Sequence, residues 1–111
     1  MKLPPKQAFP HVISYRQYEG TDDWQKAVYG DSVALNQVRF DEGYNFNRSG
    51  ENATDDAPNS LIVLFKKYNP NMPDFVNQSL IEFRDKTFTI VKAIPLYFMS
   101  DEIIGYELEV K

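Results

Sequence analysis

Between Ser79 and Met99 the chain reads SLIEFRDKTFTIVKAIPLYFM. Ile81 and Phe83 alternate with polar neighbours, Arg84 to Lys86 supplies turn chemistry, and Phe88 and Ile90 resume the alternation with Thr87 and Thr89. A period of two marks a half-buried antiparallel strand, so this stretch predicts a hairpin with one apolar face. A lone two-stranded hairpin is marginal in water, and the remaining strands must close over that face as a sandwich or barrel.

The same reading extends along the chain. Pro4, Pro5 and Pro10 bar a helix or central strand from Met1 to Pro10, because each lacks an N–H and restricts the residue before it. His11 to Glu19 alternates with Val12, Ser14, Arg16 and Tyr18 on one face and Ile13, Tyr15 and Gln17 on the other. Gly20 to Asp23 turns the chain. Trp24 to Tyr29 is a short aromatic-flanked segment, and Gly30-Asp31 signals a second turn. Ser32 to Asn45 is the longest period-two stretch. Val33, Leu35, Gln37 and Arg39 share one face and Ala34, Asn36, Val38 and Phe40 the other, a split that predicts a bend or bulge.

Leu61 to Phe65 is an unbroken apolar run, which predicts a strand buried on both faces and ended by Lys66-Lys67. Tyr68 to Pro73 is a turn, and Asp74 to Asn77 suits one helical turn capped by Asp74. Pro95 interrupts the second arm of the hairpin, so the sheet should bend or reach an edge there. Ser100 to Glu102 turns the chain again. Ile103 to Val110 closes it with Ile104, Tyr106, Leu108 and Val110 on one side, and Gly105 marks a bulge or a close approach. The expected fold is all-β: a small antiparallel β-barrel or sandwich of about six strands, with a long polar loop and at most one short helix. Residues 1–10 form a Pro-rich arm and residues 11–111 a single domain.

Asn47 to Ser60 (NRSGENATDDAPNS) holds almost nothing that can be buried and has the composition of a mobile surface loop. Loops of this length are usually functional or disordered. A tolerated hairpin extension accounts for it equally well, since each doubling of a loop costs only about 0.6 kcal/mol.

Length and charge narrow the function classes. The 111 residues make one domain, able to remove roughly two-thirds of the unfolded surface from water. There is no cysteine, which excludes disulfides, thiolate metal sites and a cysteine nucleophile. A net charge of −4 and a pI near 4.9 argue against a groove that holds nucleic acid by counterion release. The apolar runs fall far short of the ~20 residues of a bilayer-spanning helix. The N-terminus has no apolar h-region, so no signal peptide is expected and the chain is expected to be cytoplasmic when made. Aromatic residues, including the single Trp24, suit broad side chains filling a flattened core.

The chemical inventory is thin. His11 is the only histidine, with no second histidine or cysteine to work beside, and reads as a strand-edge residue rather than a base or ligand. Asp22-Asp23, Asp41-Glu42, Asp55-Asp56 and Asp101-Glu102 are adjacent carboxylates, whose side chains point apart in a strand and which serve more often in turns. Glu51, Asp55 and Asp56 could gather a divalent cation but do not follow the calcium-loop spacing. Asn52-Ala53-Thr54 matches a glycosylation acceptor with nothing to indicate secretion, and no glycine-rich phosphate motif is present. Tyr15, Tyr18, Tyr29, Tyr44 and Phe46 could stack bases, although in an acidic chain a core role fits them better. No catalytic residue, metal or cofactor is expected.

The run DDWQKAVYGDSVALNQVRFDEG, the polar loop after it, the strand SLIVLFKKYN and the closing LIEFRDKTFTIVKAIPLYFMSDEIIGYELEV together resemble the minor capsid protein family of tailed phages and prophages. The resemblance covers about residues 11–110. It rests on Trp24, Lys26, Val28 and Tyr29 approaching Val38-Arg39-Phe40, on Asp85 with Phe88 to Lys92, and on Pro95-Leu96-Tyr97. It implies a head-to-tail connector of the stopper or head-completion type: a β-barrel that forms a ring below the portal complex, joins head to tail and helps retain DNA. Its implied partners are copies of itself and portal, adaptor and tail proteins, with no membrane, no small-molecule substrate and no tightly held nucleic acid. The implied location is the host cytoplasm during assembly and then the virion. The loop of such proteins would fall here on Asn45, Phe46, Asn47, Arg48, Glu51, Asp55 and Asp56, facing the channel or a neighbouring subunit. The competing reading is an oligonucleotide- or ligand-binding barrel of unknown physiology, which a gel shift at low salt would reveal.

Overall fold

The structure, a computed structural model, describes residues 3–43 and 58–111. Six strands follow one 3-10 turn at Lys6–Ala8: β1 (His11–Thr21), β2 (Ala27–Glu42), β3 (Ser60–Phe65), β4 (Leu80–Phe83), β5 (Lys86–Tyr97) and β6 (Ile103–Val110). They form one closed antiparallel barrel in the order β1-β2-β3-β6-β5-β4, so of the two all-β architectures expected the barrel is the one adopted.

The alternation that predicts the hairpin does build it. Ile81, Phe83, Phe88 and Ile90 point into the core, and the turn between β4 and β5 is the pair Arg84-Asp85. Both residues have a left-handed backbone (φ 49° and 67°), the geometry whose twist matches antiparallel strands. Phe40 from β2 stacks on Phe83 at 4.2 Å between ring centres and touches Phe88 at 4.9 Å. The expected bulge is also present. Ile13 pairs with Leu35 and His11 with Val38, so two steps along β1 match three along β2. That extra residue shifts the phase and lets Leu35, Val38 and Phe40 all face inward.

Several local expectations are corrected. Gly30-Asp31 is not a turn but lies inside β2. The chain reverses earlier, where Asp22 Oδ1 accepts hydrogen bonds from the Trp24 and Lys26 N–H groups (2.8 and 3.0 Å), chemistry that a Gly-Asp pair within a ladder cannot outcompete. The prolines exclude a longer helix yet permit the turn at Lys6–Ala8, because Pro5 precedes it with a compatible φ of −66°. Phe9, just after it, is buried against Phe65 and Tyr68. Asp74 to Asn77 is not helical. Its polar groups bind the barrel instead: Val76 N–H donates to the Tyr15 hydroxyl (3.0 Å) and Asn77 Oδ1 accepts from Ala93 N–H (3.1 Å).

The strand β3 gives one face to the barrel core, and on its outer face only Phe65 is buried, against Phe9. Ile62 and Leu64 face the core, while Leu61 and Val63 are half-buried. A closed barrel has a single interior, and Val63 lies outside it between Arg39 and Glu107. Ser60 is not loop but the buried first residue of β3. On β6 the core takes Tyr106, Leu108 and Val110, with Ile103 packed against it, and Ile104 lies outside. The irregular register between Leu96 and Tyr97 accompanies that change of side. Gly105 is the site of a close approach: a Cβ there would sit 2.5 Å from the Leu64 carbonyl oxygen. Pro95 pairs with Tyr106 on β6. The β4 ladder stops at Thr89, so Pro95 meets no strand on its other side, as its missing N–H requires.

Candidate assembly surfaces

His11 serves the fold. Its Nδ1 accepts a hydrogen bond from the Phe40 N–H (3.0 Å), and its ring meets Phe83 edge-on at 5.3 Å. Burial, helped by the nearby Arg84 and Arg39 charges and opposed by Asp41, lowers its pKa below the usual histidine value, which keeps Nδ1 free to accept. The described carboxylate pairs are turn and surface residues: Asp22 closes the β1–β2 turn, Asp41 meets Arg39 at 3.4 Å, and Glu42 pairs with Lys86. Asp55-Asp56 lies outside the described residues. Among the described residues no group of His, Cys, Asp or Glu could hold a metal ion, and no helix is long and apolar enough to cross a membrane.

The base-stacking set does not come together as a platform. Tyr15 is buried, edge-on to Phe75, with its hydroxyl 3.2 Å from Ser79 Oγ. Tyr18 and Tyr29 face each other across β1 and β2 at 6.0 Å, and Tyr44 and Phe46 lie outside the described residues. So does the whole candidate loop set of Asn45, Phe46, Asn47, Arg48, Glu51, Asp55 and Asp56. The flanks of that loop are fixed. Gly43, with a φ of 77°, donates its N–H to Ser60 Oγ (3.2 Å), and Asn59 N–H binds the Val110 carbonyl (2.8 Å).

Two features that the sequence reading passed over lie at the opposite end of the barrel. The antiparallel ladders send β1, β3 and β5 toward that end and bring β2, β4 and β6 back from it. First, β1 and β2 outrun their neighbours. The β4 ladder stops at Arg16 and the β3 ladder at Val38. Gln17–Thr21 and Ala27–Ser32 therefore form a two-stranded arm in which no residue is buried. Trp24 crowns its turn and is 82% exposed, which overturns its expected place in the core. A large indole among Asp22, Asp23, Gln25 and Lys26, all turn-forming or polar, was the signal in the sequence.

Second, an apolar cavity of about 500 Å³ opens between the starts of the β3–β4 connection and of β6. Leu3, Pro70, Phe98, Ile103 and Ile104 line it, with Lys66 and Lys67 beside them. Its Pro70 wall is held by Asn69, which bonds both the N–H and the carbonyl of Gln37 (3.2 and 2.7 Å), and by Asn71, which donates to the Ala34 carbonyl (3.0 Å). The turn YNPNMP is thus a strap tied across β2.

Among the described residues, then, the chain is a small closed antiparallel β-barrel with an exposed indole and an apolar cavity at the same end. The family model for minor capsid proteins matches residues 5–110, and the chain belongs to that family: it is a structural component of a phage virion. No curated protein and no solved structure matches the chain.

Proposed function

We propose that this minor capsid protein is a head-to-tail connector of the stopper or head-completion type, which forms a ring between the portal complex and the tail and helps retain packaged DNA. The observation that carries the reading is the family membership of a closed barrel that, among the described residues, carries the exposed Trp24 turn and an apolar cavity at the same end. Such a barrel leaves few strand edges for indiscriminate pairing and directs contact to defined places. The chain assembles with copies of itself and with portal, adaptor and tail proteins, in the host cytoplasm before incorporation into the virion. A net charge of −4 suits a passage that lets DNA through without gripping it. The barrel's role is shape rather than turnover.

The test is deletion of the gene followed by electron microscopy of the particles. Heads that package DNA, lose it and fail to join tails are the expected result; complete, infectious particles overturn the reading. We assign the loop carrying Asn45, Phe46, Asn47, Arg48, Glu51, Asp55 and Asp56 to the channel or to a neighbouring subunit. Hydrogen exchange at these residues should slow on assembly, and equal exchange in free and assembled chains counts against that assignment.

A further inference from the structure

We propose that the Trp24 arm of one copy docks in the Lys66–Lys67 cavity of the next copy, forming a head-to-tail joint between subunits. Such a joint presupposes the ring proposed above and specifies how it is held. Four observations converge on it.

The arm and the cavity lie at the same end of the barrel but on different sides. In the closed order β1-β2-β3-β6-β5-β4 the arm continues the β1–β2 pair, whereas the cavity lies at the end of the β3–β6 pair, between the Lys66–Pro70 segment that follows β3 and the Phe98–Ile104 segment that leads into β6. A projection on one side and a recess on the other make a heterologous contact, the kind that generates rings when the rotation closes.

Size and polarity agree. Trp24 is 82% exposed, and tryptophan is among the side chains that most often anchor an interface from a desolvated pocket. A largely apolar cavity of about 500 Å³ is roomy enough for an indole and the edge of its turn.

Charge also agrees. Asp22 and Asp23 precede the indole, and Lys66 and Lys67 stand beside the cavity, outnumbering its one carboxylate, Glu102. Neither lysine is in an ion pair among the described residues; Lys67 lies over the Tyr68 ring at 5.9 Å. Opposite charges at the rim steer the approach and fix the register of such a contact.

Reach is sufficient. Five or six residues of ribbon beyond the last barrel ladder lift the turn roughly 15–20 Å from the body. The Asp22 side chain holds the turn rigid through its two backbone hydrogen bonds, so little order has to be gained on docking.

The absence of cysteine from the chain makes the test direct. Virions carrying the double variant Asp23→Cys/Lys67→Cys are treated with a short bis-maleimide and analysed under denaturing conditions. A ladder of covalent multimers is expected, with no multimers from either single variant. In parallel, Trp24→Ala should leave the melting temperature of the isolated chain unchanged and reduce incorporation into virions by about tenfold or more. A ring seen by electron microscopy that gives no ladder overturns the joint and leaves the connector reading standing. Dimers from Asp23→Cys alone show a two-fold contact and also overturn it. A chain located away from any ring removes both proposals.

Discussion

At the scale of single residues, Gly105 and His11 show how little slack this barrel has. Any side chain at Gly105 would press on a backbone carbonyl, an atom that cannot rotate away. Gly105→Ala should therefore destabilise the chain by about 1–3 kcal/mol, the usual cost of overpacking, as measured by urea denaturation. His11 acts through its neutral form, which accepts the Phe40 N–H. Its folded pKa lies below the ordinary value of 6.5, so between the two pKa values the unfolded chain binds more protons than the folded one. The contribution is complete above about pH 6.5 and is lost as pH falls through the folded pKa. Stability measured against pH should decline on that acid side, and His11→Asn should flatten the slope. An NMR titration of this single imidazole with its midpoint above 6.5 would contradict the account.

At the scale of elements, the junction between the barrel and its arm hangs on Ser79. Its buried Oγ accepts the Tyr18 N–H at 2.8 Å and lies 3.2 Å from the Tyr15 hydroxyl, which itself accepts the Val76 N–H. Ser79→Ala leaves Tyr18 N–H without that acceptor and should cost about 1–3 kcal/mol. Combined with Tyr15→Phe it should cost less than the two changes added, because both cut one network. Additive losses in denaturant would show that the hydroxyls act separately. None of this was legible in SLIEF, where Ser79 is only the polar residue before an alternation. What could be read was the alternation itself, and it placed β4, β5, β6 and the bulge in β2, since facing inward is a property of each residue and its neighbour two along. The Gly30-Asp31 turn misled because a Gly-Asp pair also fits an exposed strand, and the decision was made by Asp22, four residues from Lys26. The Trp24 arm was missed because an aromatic reads as core wherever the barrel is assumed to reach. Only the ladder ends at Arg16 and Val38 show that it stops short.

At the scale of the whole molecule, the barrel is closed unevenly. Each side of β3 is stitched over most of its length, with six register pairs to β6. The β1–β4 seam has three: Ser14 with Glu82, Tyr15 with Ile81 and Arg16 with Leu80. That seam also joins segments more than sixty residues apart, so its formation bears the loop-closure entropy of the intervening chain and returns few ladder bonds. Local opening should begin where ladder bonds are fewest per residue fixed. In native-state hydrogen exchange, the amides of Ser14, Arg16 and Glu82 should open at a lower free energy than those of Ile62 and Leu64. Equal protection across the barrel would mean that the inward side chains of Tyr15 and Ile81 hold the seam as firmly as the ladders hold the rest. The arm grows directly from the weaker seam, through Arg16 and Tyr18. If Trp24 is seated in a neighbour, the ends of β1 and β2 are fixed from outside, and the same amides should gain protection on assembly while Ile62 and Leu64 stay unchanged. Protection that rises everywhere alike would point instead to a global stabilisation, with no special part for the arm.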